Sequence, residues 1–204
     1  MYKTQQEQLW ATEFGEAYIS RNQASTQAIA DRTAMFARIL QRAGEIGSVL
    51  ELGANIGINL HALRNILPEA EFATVEINPA AAEVLRRIPG LTTINQSLLE
   101  FTAPRRYDLV FTSGVLIHIN PEHLPTAYDR MYESSSRYVC IAEYYNPSPV
   151  ELEYRGAKAA LFKRDFAGEM LERHPDLRLL DYGFIYHRDL RGVDDLTWFL
   201  MERP

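Results

Sequence analysis

Short apolar runs alternate along this chain with longer amphipathic segments. The runs predict strands at Ser48–Leu52, Phe72–Ile77, Leu91–Ile94, Tyr107–Thr112 and Arg137–Glu143. The segments around and between them predict helices at Ala28–Ala43, Ile58–Leu67, Ala80–Arg87 and Asn120–Tyr132. Strands and helices in alternation predict an α/β protein with a doubly wound, mostly parallel sheet and helices on both faces.

Two further strands are predicted at the end of the chain, at Leu177–Tyr186 and Leu196–Glu202. The turn-rich segment between them is too short for a crossover helix, so they are expected to pair as a hairpin. One of the two must then run antiparallel to the rest of a seven-stranded sheet. With 204 residues and no linker, we expect a single domain over 1–204.

Composition excludes several classes of protein. Apolar residues make up 47% and charged residues 24%, which is typical of globular proteins. The net charge of −6 argues against nucleic acid or a membrane surface as the partner. No apolar run reaches the length of a membrane span, the polar N-terminus predicts no signal peptide, and one cysteine excludes an internal disulfide. We therefore expect a cytoplasmic protein.

The strongest motif follows the first predicted strand, where Glu51 and Leu52 lead into Gly53-Ala54-Asn55-Ile56-Gly57. Glycine allows a tight turn and lets a ligand approach the backbone. Glu76, followed by Ile77, ends the next strand, and a carboxylate there can accept both hydrogens of a ribose diol. The middle position is Asn55 rather than glycine, so the loop suits S-adenosylmethionine better than a pyrophosphate-containing dinucleotide.

Two other segments that follow strands complete the expected cofactor site. Ser97 and the backbone of Leu98 follow the third strand and are candidates to bind the adenine edge, although Ser97 is equally consistent with an ordinary turn. Ser113 and Gly114 follow the fourth strand and are expected beside the methionyl part of the cofactor. The carboxyl ends of parallel strands form the ligand-binding edge of such sheets.

These motifs resemble class I S-adenosylmethionine-dependent methyltransferases. More narrowly, the chain is similar to the methylase family associated with pseudaminic acid biosynthesis, which acts in the pathway of nine-carbon sialic-acid-like sugars. The resemblance covers nearly the whole chain, and its most particular stretches are IAEYYNPSPVELEYRG (141–156) and LFKRDFAGEML (161–171).

The resemblance implies a role for the N-terminus, since this region often closes over the cofactor in class I folds. We expect residues 1–25 to form a helical cover. Tyr18 and Arg21 are three residues apart and share a helix face. Arg21 is a candidate for the methionine carboxylate, with a surface salt bridge as the alternative.

Candidate catalytic residues follow the fourth and fifth strands. His118 is a candidate general base or a positioning residue. Glu143, Tyr144 and Tyr145 leave the fifth strand together and can orient an acceptor or face a sulfonium cation. The neighbouring Asn146 is a candidate for acceptor binding, and an ordinary aromatic loop is the alternative for this segment.

A basic stretch follows, from Tyr154 to Arg164, that contains Arg155, Lys158, Lys163 and Arg164 and no acid. Arginine side chains match carboxylate and phosphate, so Tyr154, Arg155, Lys163 and Arg164 are candidates to bind an anionic sugar. A solvated helix face explains the same charges.

The expected function is methyl transfer from S-adenosylmethionine, with S-adenosylhomocysteine as product, to an oxygen or an amino or amidino nitrogen. The resemblance implies a small acceptor of the nonulosonic-acid type or a precursor. Three alternatives stay open: a non-methylating enzyme with the same cofactor, a catalytically silent cofactor-binding subunit, and a dinucleotide-dependent oxidoreductase. The five histidines are scattered, so no metal site is predicted.

Overall fold

The fold consists of nine strands and seven α-helices in the part of the chain that the computed structural model describes, residues 2–22, 24–154 and 156–204. The strands are β1 Ser48–Leu52, β2 Glu71–Glu76, β3 Leu91–Asn95, β4 Tyr107–Ser113, β5 Ser135–Glu143, β6 Val150–Tyr154, β7 Ala157–Lys163, β8 Arg178–Ile185 and β9 Leu196–Glu202. The helices are α1 Gln5–Ala11, α2 Glu13–Arg21, α3 Thr26–Ile39, α4 Ile58–Arg64, α5 Pro79–Arg86, α6 Leu124–Ser134 and α7 Phe166–Arg173.

Seven strands form one sheet in the order β3-β2-β1-β4-β5-β9-β8. The strands from β3 to β5 are parallel, whereas β9 is antiparallel to both β5 and β8. The sequence-based prediction of a mostly parallel sheet with a C-terminal hairpin is confirmed. The strand order reverses between β1 and β4, and ligands of open α/β sheets bind at such a switch point.

Both faces of the sheet are covered, because the central strands are apolar on both sides. All five residues of β1 are buried. One core cluster packs α6 and α7 against one face, and the other packs α3, α4 and α5 against the opposite face. Cys140 lies in the second cluster as a buried residue. The loops at the carboxyl ends of the strands are therefore held on a rigid frame.

The structure departs from the sequence-based prediction in two places. Among the described residues, the connection from β3 to β4 contains turns and no helix. The basic stretch is not a helix face: β6 and β7 pair as a hairpin, which turns at Gly156 with φ 84°. Helix α7 begins only after Asp165. The Asp165 side chain caps α7 by accepting a hydrogen bond from Gly168 N at 2.8 Å.

Candidate functional site

Two adjoining cavities lie at the carboxyl ends of β1, β2 and β4. We call the first the Glu76 cavity, because it is lined by Glu76, Ile77, Ser97 and Leu98 together with α1 residues. We call the second the Asp194 cavity, because it is lined by Asp194 and by Arg32, Tyr144 and Tyr154. Residues that line both cavities are Tyr18, Gly53, Asn55, Ser113, Gly114 and His118. One elongated ligand can therefore reach from the first cavity into the second.

The glycine loop forms the floor between the two cavities. Gly53 has φ 82°, and a Cβ on it would lie 2.6 Å from Val115 Cγ2, so no larger residue fits without a shift. Asn55 has φ 49°, in the left-handed region. Ala54 lines the Asp194 cavity, whereas Gly57 lines neither and begins α4. A Cβ on Gly57 would meet Leu85 and Ile88 at 2.9 Å, so this glycine serves the packing of α4.

Glu76 is fixed at the end of β2 by backbone donors on both sides. Its Oε2 accepts from Asn55 N at 2.7 Å, and its Oε1 accepts from Asn78 N at 2.8 Å. Burial raises the pKa of this carboxyl, and the backbone donors oppose that shift. Each carboxylate oxygen has a second lone pair, so Glu76 can still accept hydrogen bonds from a ligand in the cavity.

Glu51 lies beneath the loop rather than in a cavity wall. It is fully buried, its Oε1 accepts from Asn59 Nδ2 at 2.7 Å, and burial raises its pKa to about 8. Asn59 lines the Asp194 cavity, so Glu51 acts on that cavity through Asn59.

At the far end of the Glu76 cavity, a residue that follows β3 contacts the N-terminal helix α1. Ser97 donates its hydroxyl hydrogen to Glu7 Oε1 and accepts from Leu99 N at 3.1 Å. Glu7 also closes a capping box with Thr4 at the start of α1. Sequence reasoning missed Glu7, although the Thr-x-x-Glu spacing was visible.

Aromatic side chains from α1 and α2 contact the strand-end loops above the cavities. Trp10 lies 4.5 Å from the ring of His118, and His118 lies 5.1 Å from that of Tyr154. Phe14 and Tyr18 pack edge-on against Trp10. The Trp10 Nε1 hydrogen is buried and has no hydrogen-bond partner among the described residues, although Trp10 lines the Glu76 cavity. We therefore expect the Trp10 indole N–H to donate a hydrogen bond to a bound ligand.

The two arginines near Tyr18 differ in position. Arg21 is exposed, lies 5.9 Å from the centre of the Tyr18 ring and lines neither cavity. Arg32, which sequence reasoning placed inside a helix without a role, lines the Asp194 cavity. Burial lowers the pKa of Arg32, opposed by nearby Tyr18 and Glu51. A buried guanidinium in a cavity wall is well placed to bind a carboxylate.

His118 lies between the cavities in its neutral form. Its Nδ1 is 2.6 Å from Ala160 O, and because a carbonyl only accepts, Nδ1 carries the hydrogen. Burial lowers the pKa of His118 to about 4. The ring therefore offers Nε2 as a hydrogen-bond acceptor, and it is a weak base.

Glu143 is buried at 2% exposure and lines neither cavity. Its carboxylate accepts backbone hydrogen bonds from Val115, Leu116 and Ile117, at 3.0, 3.1 and 3.4 Å. Burial raises its pKa to about 7, opposed by these donors. In this arrangement Glu143 positions the turn that carries His118, and it does not contact the cavity.

Of the three residues that follow β5, Tyr144 lines a cavity, and Tyr145 and Asn146 do not. Tyr144 lines the Asp194 cavity and donates its hydroxyl hydrogen to Asp194 Oδ2. Tyr145 is exposed, packs 6.0 Å from Phe199 and lines neither cavity. Asn146 also lies outside both cavities, where its Nδ2 donates to Ser148 O at 2.6 Å. Sequence reasoning missed Asp194, which lies in a turn with no motif.

The described cationic side chains of the basic stretch, Lys163 and Arg164, do not line a cavity. Arg164 pairs with Glu169, and Lys163 Nζ lies 5.0 Å from the centre of the Tyr144 ring. Neither lines a cavity, whereas Tyr154 lines the Asp194 cavity. Arg155 lies outside the described residues, and so does the Lys158 side chain.

Within the described part of the chain, no group of three or more His, Cys, Asp or Glu side chains is arranged to hold a metal ion. Across the same residues, no helix has both the length and the apolar character needed to cross a membrane.

Comparison with solved structures places this architecture among known folds. The plantazolicin methyltransferase in complex with S-adenosylhomocysteine aligns with a TM-score of 0.66 at 12% identity, over 98% of this chain and 94% of that chain. An amino pentose methyltransferase of calicheamicin biosynthesis from Micromonospora echinaspora, with S-adenosylmethionine bound, aligns at 0.65 and 12% identity over 94% and 96%. The 1,6-didemethyltoxoflavin-N1-methyltransferase of Burkholderia thailandensis aligns at 0.65 and 15% identity over 86% and 78%.

The chain has the class I methyltransferase fold. No protein-family model matches the sequence, and no curated protein matches it. Identities of 12–15% establish the fold alone, so the function has to be inferred from the cavities.

Proposed function

We propose that this protein is an S-adenosylmethionine-dependent methyltransferase that acts on an oxygen or nitrogen of a small molecule. The single observation that carries the proposal is the joined pair of cavities at the switch point of the sheet. Glu76 lies in one, the acceptor-side residues Tyr144 and Asp194 lie in the other, and Gly53, Asn55 and Gly114 line both.

The Glu76 cavity fits an adenosine better than a dinucleotide. Glu76 presents a carboxylate for a ribose diol, and Trp10 Nε1 is a buried donor without a partner among the described residues. Lys and Arg are absent from the described lining of this cavity, whereas Arg32 and the first residues of α4, Ile58 and Asn59, line the Asp194 cavity. A pyrophosphate next to a ribose at Glu76 would therefore have no cationic or helix N-terminal partner within the Glu76 cavity.

The residues that would hold the cofactor follow from this arrangement. We assign Glu76 to the ribose, Ile77, Ser97 and Leu98 to the adenine end, and Gly53, Ser113 and Gly114 to the methionyl part. We assign Arg32 to the methionine carboxylate in place of Arg21, because Arg32 lines the Asp194 cavity and Arg21 does not. Residues 1–25 serve as the cover in this proposal, since Thr4, Trp10, Gly15 and Tyr18 line the Glu76 cavity.

The bound cofactor supplies an electrophilic methyl group on a sulfonium and leaves as neutral S-adenosylhomocysteine. The chain therefore has to hold the acceptor in line and exclude water, and little proton chemistry is required for an amine. His118 keeps its ring neutral between the cavities and offers Nε2 to the acceptor. Tyr18, Tyr144 and Tyr154 line the acceptor side with aromatic surface.

The finer proposal concerns the acceptor. The resemblance to the methylase family associated with pseudaminic acid biosynthesis supports a nonulosonic-acid sugar or a precursor. One of the similar structures is an amino pentose methyltransferase, which is compatible with a sugar acceptor. Glu143 and Tyr145 are assigned no catalytic role, because neither lines a cavity. Glu143 is instead a positioning residue for the turn that carries His118.

The test is an assay of the purified protein with labelled S-adenosylmethionine and a panel of nonulosonic acids and their nucleotide forms. The proposal expects a product heavier by one methyl group, together with S-adenosylhomocysteine. Methylthioadenosine in its place would support a non-methylating enzyme instead. Binding of NAD(H) without binding of S-adenosylhomocysteine would support an oxidoreductase.

A further inference from the structure

One carboxylate lies among the aromatic residues of the Asp194 cavity, and the proposed cofactor chemistry gives it no task. Asp194 lies on the loop between β8 and β9, and its Oδ2 accepts from the Tyr144 hydroxyl. Its Oδ1 accepts from Asp195 N at 2.8 Å. Two acceptor oxygens offer about four lone-pair directions, so the carboxylate retains capacity for a further donor.

The carboxylate is held in place from both sides. Burial and the bond to Asp194 raise the pKa of the Tyr144 phenol, so Tyr144 stays protonated and donates. The loop itself is tied to α3 by Arg38–Asp189 at 3.1 Å and Arg191–Asp31 at 3.3 Å. Asp194 is exposed, and these contacts fix the direction in which its carboxylate accepts hydrogen bonds in the cavity wall.

Charges in the cavity favour a cationic acceptor group. Arg32 and Asp194 are the only Lys, Arg, Asp or Glu in the described lining, and Arg32 is already assigned to the cofactor carboxylate. Lys163 and Arg164 do not line the cavity, and Arg164 pairs with Glu169. The tyrosine faces beside Asp194 also attract ammonium groups.

An amine also fits the absence of a strong base better than a hydroxyl does. A bound ammonium has to lose one proton before its nitrogen lone pair attacks the methyl carbon, and the Asp194 carboxylate that accepts its hydrogen bond can take that proton, whereas a hydroxyl needs a stronger base. The carbon–nitrogen bond forms as the carbon–sulfur bond breaks, and S-adenosylhomocysteine leaves as the neutral thioether. His118 is a weak base, and Glu143 accepts three backbone hydrogen bonds outside the cavity.

We propose that the acceptor is an amine, and that Asp194, held by Tyr144, accepts a hydrogen bond from its nitrogen. The inference rests on the proposed function and narrows it from oxygen or nitrogen to nitrogen. A sugar acid that carries an amino group would be an amine and also an acceptor of the nonulosonic-acid type. Asp194 touches the substrate in this proposal, and Tyr144 positions Asp194.

The experiment uses amine and alcohol probes that share a carbon skeleton, with S-adenosylhomocysteine present at saturation. The pairs are glucosamine and glucose, a 4-amino-4-deoxyhexose and its hexose, and benzylamine and benzyl alcohol. Binding is measured by calorimetry, and methyl transfer is measured separately with labelled S-adenosylmethionine. Variants are Asp194→Asn and Tyr144→Phe, and Asp195→Asn is the charge-matched control on the same loop, outside the cavity lining.

We expect at least one amine to bind roughly tenfold or more tightly than its alcohol, the preference of a charge-assisted hydrogen bond. Asp194→Asn should abolish that preference, Tyr144→Phe should reduce it, and Asp195→Asn should keep it. Affinity for S-adenosylhomocysteine should stay unchanged in all three variants, which a merely structural role for Asp194 would not predict.

The inference is overturned if S-adenosylhomocysteine binds while no amine is preferred to its alcohol. It is also overturned if Asp194→Asn keeps the preference. Loss of S-adenosylhomocysteine binding in the wild-type protein would instead contradict the proposed function, so the two failures are distinguishable.

Discussion

At the residue scale, the site is organised by buried carboxylates whose partners lie far away in the sequence. Glu76 holds Asn55 across 21 positions, and Glu143 holds the turn at Val115–Ile117 across 26 to 28 positions. Both carboxylates bind backbone N–H groups, so they fix the shape of the loops that carry the site. Only Glu76 also faces a cavity.

Replacement of Glu76 by glutamine should weaken cofactor binding. The amide loses one acceptor oxygen that the ribose and the Asn55 and Asn78 backbones require. We expect affinity for S-adenosylhomocysteine, measured by calorimetry, to fall by about 10- to 100-fold, the range for hydrogen bonds to charged groups. Glu83→Gln, on the exposed face of the following helix, should leave it unchanged. Equal affinities for wild type and Glu76→Gln would contradict the ribose assignment.

The roles of the two arginines can be separated with two ligands. S-adenosylhomocysteine carries the amino-acid carboxylate, whereas methylthioadenosine lacks it. Arg32→Met should weaken the first ligand about tenfold or more and leave the second unchanged, because only the first has a carboxylate to bind. Arg21→Ala should change neither. A loss confined to Arg21→Ala would restore the assignment that the sequence alone favoured.

The buried carboxyl of Glu51 leads to a prediction of how the stability of the fold depends on pH. Its pKa is raised to about 8 by burial, against roughly 4.3 for an unfolded glutamate. Between these values the folded protein keeps a proton that the unfolded chain has lost, so this group's contribution to stability falls as pH rises, by at most about 1.4 kcal/mol per pH unit. The loss should end above the folded pKa.

Urea unfolding of the apo protein at pH 5.5 and pH 7.5 checks this expectation. The free energy of unfolding of Glu51→Gln, relative to wild type, should increase by roughly 1–3 kcal/mol between the two pH values. The exposed Glu69→Gln should show no such trend. A difference between Glu51→Gln and wild type that stays constant with pH would show that Glu51 is ionised in the fold.

At the scale of elements, the loop between β8 and β9 lines the Asp194 cavity, which is the acceptor side in the proposed function. Ion pairs from α3 to Asp189 and Arg191 hold it, and His187 Nδ1 lies 2.8 Å from Asp195 Oδ1 within it. Exposed ion pairs contribute little singly, roughly 0.2–1 kcal/mol each. We expect their joint effect to be a fixed position of Asp194 relative to Tyr144.

Removal of both interelement pairs should therefore affect the acceptor and spare the cofactor. For the double variant Arg38→Ala/Arg191→Ala, we expect the KM of the acceptor to rise about 2- to 30-fold, from two pairs of that strength. The dissociation constant of S-adenosylhomocysteine should stay within about twofold. Arg173→Ala breaks an exposed pair with Asp129, away from both cavities, and serves as the control. A larger effect on the cofactor than on the acceptor would contradict the assignment of this loop.

At the scale of the whole molecule, the central strands were predictable because buried parallel strands are mostly apolar. The C-terminal hairpin was predictable because the segment between its strands is too short for a crossover helix. The β6–β7 hairpin was missed although Val150, Leu152 and Tyr154 alternate with two glutamates in β6, because the alanine-rich sequence of β7 also has a high helix propensity. The N-terminal cavity contacts involve Glu7 and Trp10, whose partners Ser97 and His118 are far away in the sequence. Tertiary contacts of this kind leave no local pattern.

The residues of the candidate site were likewise predictable only where a local pattern fixes their spacing. Gly53, Asn55 and Glu76 were found because a strand, a turn and a second strand impose their spacing. Arg32 and Asp194 were missed because a helix face and a turn expose such residues routinely. Their meaning depends on which cavity the fold places them in.

Calorimetric titration with S-adenosylhomocysteine, beside NADH, tests the central claim most directly. The proposed function predicts one S-adenosylhomocysteine site per chain, weakened by Glu76→Gln and by Arg32→Met, and no binding of NADH. Absence of S-adenosylhomocysteine binding, or tighter binding of NADH, would contradict it.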